Sequence, residues 1–453
     1  MAARPEGARP VGVVMGRRWS PRPIGPIRLE AESTEFVDSP AEALRLGVVR
    51  ELTRLELDGV ATVVQVIRPA RDGRWPVVVF AHGAGTGNHT AFDEHAEHLA
   101  DNGIVCLVAD KDLAAYTATR RDYGHMARQY ADLWRWGAEQ EWAEPGRIGY
   151  YGESEGAWVV PWAAATTGSA FVVLVSAPVV TPREQAMYAL GTYLSSVGAP
   201  RSVFDAAQRF AGAAWPRGWF AYVDFDSLGL ITHVDCPVLV AYGARDISMP
   251  VVEGARRVMA EAPGPVAVRY YGDADHGLRV GEAKRLSPEF LRDLGAWLRR
   301  PSARPVVAGA EPFQPFAAVA PPRGVSLANE AWAAAAALAA VAGAGAGTAS
   351  SPRLRGPLAL VRFGAVATVL AHARYLWILA RLATSYRTDP RAVRVGHRIV
   401  RGLGAATVVA GLVALSRARR SRSRRALAGS AAGRGGAAAL LALAARWGAF
   451  GRF

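Results

Sequence analysis

The chain has 453 residues, 51% of them hydrophobic, enough for a substantial core and for two domains or one large domain with appendages. Its net charge of +14 is unevenly held: from Pro301 onward there are 21 arginines, no lysine and three acidic residues, a local +18, so the remainder carries −4 and the basicity belongs to the tail. The two cysteines, Cys106 and Cys236, sit in or beside apolar strand-like runs (GIVCLV and CPVLVA) and read as small buried hydrophobes, so no disulfide framework is implied.

Residues 1–46 form an N-terminal extension whose first part, Met1 to Arg28, is rich in Pro, Gly and Arg and is expected to be unstructured. Its apolar run, Val11 to Gly16, is shorter than the roughly 7 to 15 residues of a secretory core, so the chain up to Arg300 is expected in the cytoplasm. Val48 to Leu57 and Val60 to Ile67 flank Asp58-Gly59 and read as a β-hairpin. Pro76 to Ala81 is a continuous apolar strand of the kind buried on both faces, and it ends in His82-Gly83-Ala84-Gly85. A helix over Ala91 to Asp101, a strand over Gly103 to Val108 and a long helix over Tyr123 to Gln140 follow.

Next comes RIGYYGESEGAW, Arg147 to Trp158, a strand running into a Gly-x-Ser-x-Gly turn and then a helix, with Ser154 at the apex. Such a turn raises the serine hydroxyl above the sheet edge and points the free N–H groups of the helix at the reacting atoms. The helix contains Pro161, which must kink it or sit where a missing N–H is tolerated. Ala170 to Val175 and Pro237 to Ala241 are further strands, separated by an insertion over Pro178 to Thr232 with helical patterns and the aromatics Tyr188, Tyr193, Trp215, Trp219 and Phe220. A helix from Pro250 to Ala260, a strand over Val266 to Tyr271 and a helix over Pro288 to Leu298 complete the run. Strands alternating with helices at this spacing predict an α/β fold with a mainly parallel sheet covered on both faces.

Reacting groups of an open α/β sheet gather at the carboxyl ends of its strands. The turn at His82 to Gly85, Ser154, Asp246 and His276 all fall there, the last three in the chain order Ser, Asp, His. VVVFAHGAG, GIVCLVADK, GESEGAW, VLVAYGARD and YYGDADHGL resemble the α/β-hydrolase family, most closely its dienelactone-hydrolase and prolyl-oligopeptidase-like branch, over about Leu52 to Leu298. The resemblance implies a doubly wound, mostly parallel sheet with a helical cap over 178–232. It makes Ser154 the nucleophile, His276 the general base and then acid, and Asp246 the residue that orients the imidazole. The Glu155 N–H and that of Ala84 or Gly85 would hold the oxyanion, with no metal or cofactor required.

Each residue also has a plainer role to weigh: Ser154 as a helix cap, His276 as a loop histidine, Asp246, Asp273 and Asp275 as turn formers. Their joint order favours catalysis. His82 reads as structural, and Glu153 and Glu155 as solvated or cap-facing. Tyr188, Tyr193, Trp215 and Trp219 are either packing of the cap or the wall of an acyl pocket. The function expected for residues 47–300 is a serine hydrolase cleaving carboxylic ester, thioester or peptide bonds in a small-molecule substrate. The contrasting reading is a silent binding or scaffold domain tethered to a membrane.

Residues 301–325 read as a Pro-rich linker carrying nothing that the triad needs, and 326–453 as helical and membrane-associated. Gly356 to Ala380 is hydrophobic but interrupted by Arg362 and Arg374; Gly402 to Ser416 is clean but short; Gly435 to Ala445 is shorter. A spanning helix needs about 20 mainly apolar residues, so the group says more than any member. RARRSRSRR, Arg417 to Arg425, follows an apolar segment directly and reads as a cytoplasmic helix anchor in preference to a nucleic-acid grip. With Gly356 to Ala380 and Gly402 to Ser416 crossing, Ala331 to Gly347 is left uninserted or interfacial. The expected location is the cell membrane, with the catalytic domain on the cytoplasmic side.

Overall fold

The computed structural model of the chain describes residues 44–85, 87–117, 119–301, 305–318, 326, 328, 329, 331–337, 339, 352–384, 389–420, 424–447, 449 and 450. The segment expected to be unstructured, Met1 to Arg28, lies outside them. Strands β1 (Val48–Leu57), β2 (Val60–Pro69), β3 (Trp75–Ala81), β4 (Val105–Ala109), β5 (Ala143–Glu153), β6 (Val172–Val175), β7 (Val238–Gly243) and β8 (Val266–Tyr271) join one sheet, with β9 (Arg279–Val280) and β10 (Arg285–Leu286) forming a small separate ladder. A short β11 (Val306–Ala308) completes the main sheet, whose order is β1-β2-β4-β3-β5-β6-β7-β8-β11. The β1–β2 hairpin turns at Asp58 and Gly59, both at positive φ (45° and 77°), as the Asp-Gly pair requires. β2 meets β4 antiparallel, and every later pairing within the main sheet is parallel.

Helices α1 (Asp93–Asp101), α2 (Tyr123–Ala138), α3 (Gly156–Thr167), α4 (Pro182–Ser196), α5 (Arg201–Ala214), α6 (Leu228–Ile231), α7 (Val251–Glu261) and α8 (Pro288–Arg299) connect these strands. Because side chains alternate along a strand, each strand feeds two cores. Val77, Val79, Tyr150, Leu174 and Val240 pack under α2, α3 and α7, while Val78, Phe80, Tyr151, Val173 and Leu239 pack under α1 and α8. Full burial of such side chains stabilises the sheet by about 1.5–3 kcal/mol each. α3 continues through Pro161, and α4 to α6 form the cap over the insertion.

The α/β region does not end at Arg300. Val306, Val307 and Ala308 pair in parallel with Ala267, Val268 and Arg269, so a stretch read as linker supplies the edge strand of the sheet. Only three residues between Pro305 and Gly309 do this, too few to show a periodic pattern.

The tail contains α9 (Pro352–Thr384), α10 (Pro390–Arg419) and α11 (Arg424–Arg446). Among the described residues, two stretches, Gly356–Leu379 and Pro390–Arg417, are long and apolar enough to cross a membrane. The second is much longer than the clean run Gly402 to Ser416, because the helix extends back through Arg391, Arg394, Arg398 and Arg401. Within the stretch Ala331 to Gly347, residues 331–337 and 339 are helical, and Ala337 packs with Val361, Ala365, Ala437 and Leu440. Tyr193, Leu194, Val197, Val203 and Phe204 of the cap pack against Tyr375, Leu379, Val393, Val400 and Ala444 of the tail, so the two regions share a core.

Candidate active site

β5 ends at Glu153 and α3 begins at Gly156, leaving Ser154 to make the turn at φ +52°. A non-glycine residue held in this region carries strain of order 1–3 kcal/mol and persists only where neighbours over-determine it. Here the Ser154 N–H donates to the Val175 carbonyl at 2.9 Å. A Cβ on residue 156 would lie 2.2 Å from the Ala81 carbonyl oxygen, so only glycine lets the helix start this close to β3.

Ser154 Oγ lies 3.0 Å from His276 Nε2, and His276 Nδ1 lies 2.8 Å from Asp246 Oδ2. Nδ1–H donates to the carboxylate, which leaves Nε2 to face the hydroxyl. Asp246 is 1% exposed, and its Oδ1 accepts the Ser248 and Met249 N–H groups at 2.7 and 3.2 Å. The histidine loop is held from below, where the Ser176 hydroxyl donates to the His276 carbonyl at 2.5 Å. Gly243 ends β7 directly against that loop: a Cβ there would sit 2.2 Å from the Asp275 carbonyl oxygen. Burial opposes the imidazolium, but the charge and hydrogen bond of Asp246, helped by Glu153 and Asp275, outweigh it and raise the His276 pKa to about 9. The neighbouring acids are engaged elsewhere, Asp273 with Arg245 at 2.6 Å and Asp275 with Lys284 at 2.7 Å.

Of the two alternatives expected for Glu155, solvated or cap-facing, the first is overturned by its burial. Its side chain is 2% exposed, ion-paired to Arg121 and, at 3.6 Å, to Lys111, and it accepts from the hydroxyls of Tyr116 (2.6 Å) and Tyr123 (3.0 Å). Lys111 also donates to the Gly83 carbonyl at 2.8 Å, and the Tyr116 hydroxyl reaches the Ala84 carbonyl at 3.4 Å. One buried network thus joins the turn after β3 to the residue after Ser154, the two places from which oxyanion donors are expected. Burial pushes the Lys111 pKa down, with Glu155 opposing. The burial of Glu155 was not visible in the sequence, where GESEG reads as a polar turn. His82 is structural as expected: buried, lowered to about 4 by desolvation, it donates from Nε2 to the Ala109 carbonyl at 2.6 Å.

The model of the prolyl oligopeptidase family matches residues 90–302. Together with the sheet order and the turn at Ser154, that match assigns the fold. This region has the α/β-hydrolase fold. Similar solved structures include a 2,6-dihydroxy-pseudo-oxynicotine hydrolase (17% identity, 60% of this chain and 71% of that one, TM-score 0.42). They also include a dienelactone hydrolase from Anabaena variabilis (16%, 57% and 100%, TM-score 0.41) and an acetyl xylan esterase from Paenibacillus sp. R4 (18%, 58% and 85%, TM-score 0.43). Among curated proteins none matches the chain.

The four cap aromatics have different neighbours. Tyr188 packs against Phe316 with ring centroids 5.8 Å apart, Trp215 lies under the Arg183 guanidinium, and Trp219 is 47% exposed beside Phe210. Tyr193 is buried in the core shared with the tail. α4, which carries Tyr188, is tied to the loop after Asp246: Gln185 donates to the Ser248 carbonyl at 3.1 Å and Thr192 to that of Ile247.

Proposed function

We propose that the chain is a serine hydrolase cleaving carboxylic esters through an acyl-enzyme, with thioesters or peptides as variants of the same chemistry. The observation that carries this reading is the continuous contact from Ser154 Oγ through His276 to the buried Asp246, at 3.0 and 2.8 Å. Ser154 Oγ attacks the acyl carbonyl carbon while His276 Nε2 takes its proton; the tetrahedral oxyanion accepts the Glu155 N–H and that of Ala84 or Gly85. Collapse expels the alcohol, protonated by His276, and water repeats the sequence on the acyl-Ser154 ester. Asp246 orients the ring and stabilises its cation. Of the four cap aromatics, Tyr188 is retained as a wall of the acyl site, because α4 rests on the Asp246 loop.

The tail is proposed to anchor the hydrolase on the cytoplasmic face of the cell membrane. Leu360, Phe363, Leu370, Trp377, Ile399 and Leu412 are exposed on α9 and α10, an apolar surface suited to lipid.

A fluorophosphonate probe tests the reading, since it labels only an activated serine. Labelling together with hydrolysis of nitrophenyl esters is the expected result; a folded chain inert to both would be the silent scaffold instead.

A further inference from the structure

Beyond β11 the chain does not leave the hydrolase. Glu311 pairs with Arg256 at 3.0 Å, Phe316 packs on Tyr188 and under the Arg257 guanidinium, and Gln314 lies between them at the loop that carries Asp246. Gln314 Nε2 donates to the Asp246 carbonyl at 2.8 Å, and its Oε1 accepts the Val251 N–H at 2.6 Å, alongside the Met249 carbonyl. Only this orientation of the carboxamide satisfies both partners, since an N–H needs an acceptor and a carbonyl a donor. Between those two anchors Ile247 is exposed while Ser248, Met249 and Pro250 are buried, and the amide bridges the two ends of the turn that holds the carboxylate.

We infer that Gln314 is a positioning residue for the triad, clamping the backbone of Asp246 so that its carboxylate stays against His276 Nδ1. The inference rests on the proposed roles of Ser154, His276 and Asp246. Gln314 lies outside residues 90–302, the part matched by the family model. It touches no reacting atom; it acts through the Asp246–His276 contact, whose value depends on sub-ångström placement.

The test uses the full chain carrying Gln314→Ala or Gln314→Glu, each made in the natural background and in Asp246→Asn. Nitrophenyl acetate hydrolysis gives kcat and KM, and fluorophosphonate labelling gives the reactivity of Ser154. A glutamate keeps the acceptor for Val251 but cannot donate to the Asp246 carbonyl, so it serves even if the alanine variant unfolds. Both variants should lower kcat and the labelling rate by about tenfold with KM nearly unchanged, and neither should lower them further once Asp246 is asparagine. Unchanged kcat in the glutamate variant would overturn the inference, as would an equal loss in both backgrounds, which marks general destabilisation. If the natural chain neither labels nor hydrolyses, the proposed function fails and takes the clamp with it.

Discussion

Replacing Glu155 by glutamine keeps the backbone N–H after Ser154 and the side-chain shape, and removes one buried charge. The carboxylate and the Lys111 ammonium are each 2% exposed, so the ammonium is left with the Gly83 carbonyl at 2.8 Å and the Tyr116 ring at 4.0 Å. Stranding one member of a buried pair costs about 3–5 kcal/mol, a large part of the roughly 5–15 kcal/mol that holds a domain together. At about 2–4 °C per kcal/mol for a domain of this size, Tm should fall by roughly 6–20 °C. Burial already depresses the Lys111 pKa and Glu155 opposes that, so without Glu155 the amine loses its proton more readily. The deficit should therefore shrink as pH rises, and adding Lys111→Met should restore part of the loss. Thermal unfolding of the detergent-solubilised chain, followed by tryptophan fluorescence, measures it. A Glu155→Gln chain melting within about 2 °C of the natural one would refute the reasoning, because a buried carboxylate with two cationic partners cannot be neutralised that cheaply.

Three further outcomes follow. The acylation rate should rise with pH through about 9, where His276 becomes the free base, and Asp246→Asn should move that limb to lower pH while cutting the plateau by about 10³–10⁴-fold; a limb that stays in place would reassign the acid. The sign for stability is opposite: a histidine raised from 6.5 to about 9 stabilises the fold fully below pH 6.5, and that contribution is lost as pH rises through 9. The full chain should sediment with membranes and resist extraction by 1 M salt, which shortens screening to about 3 Å; release by salt alone would reduce the tail to a basic surface patch.

What the sequence made legible was local chemistry. Asp58-Gly59 determined the first hairpin, the unbroken apolar runs marked strands buried on both faces, and GESEG announced the sharp turn that φ +52° at Ser154 realises. Asp246 and His276 were within reach because loops after parallel strands converge on one sheet edge, which makes chain order informative without any contact being known. What stayed hidden depends on partners distant in sequence. Whether Glu155 faces water or ion pairs is decided by Lys111 and Arg121, some 40 residues away, and no periodicity carries that. Val306–Ala308 is too short and too close to proline to read as a strand, and Gln314, in EPFQPF, is an ordinary amide until its two backbone partners are seen. The cap aromatics were a tie between packing and pocket because both uses need the same residues; Tyr193 went to packing against the tail.

The central claim is that Ser154 is an activated nucleophile, and it is tested most directly by reacting the chain with a fluorophosphonate and locating the adduct by peptide mass spectrometry. The account predicts a single adduct on the peptide containing Ser154, lost in Ser154→Ala and reduced to near background in His276→Ala. An adduct on a different residue, or ester hydrolysis that survives Ser154→Ala, would contradict it.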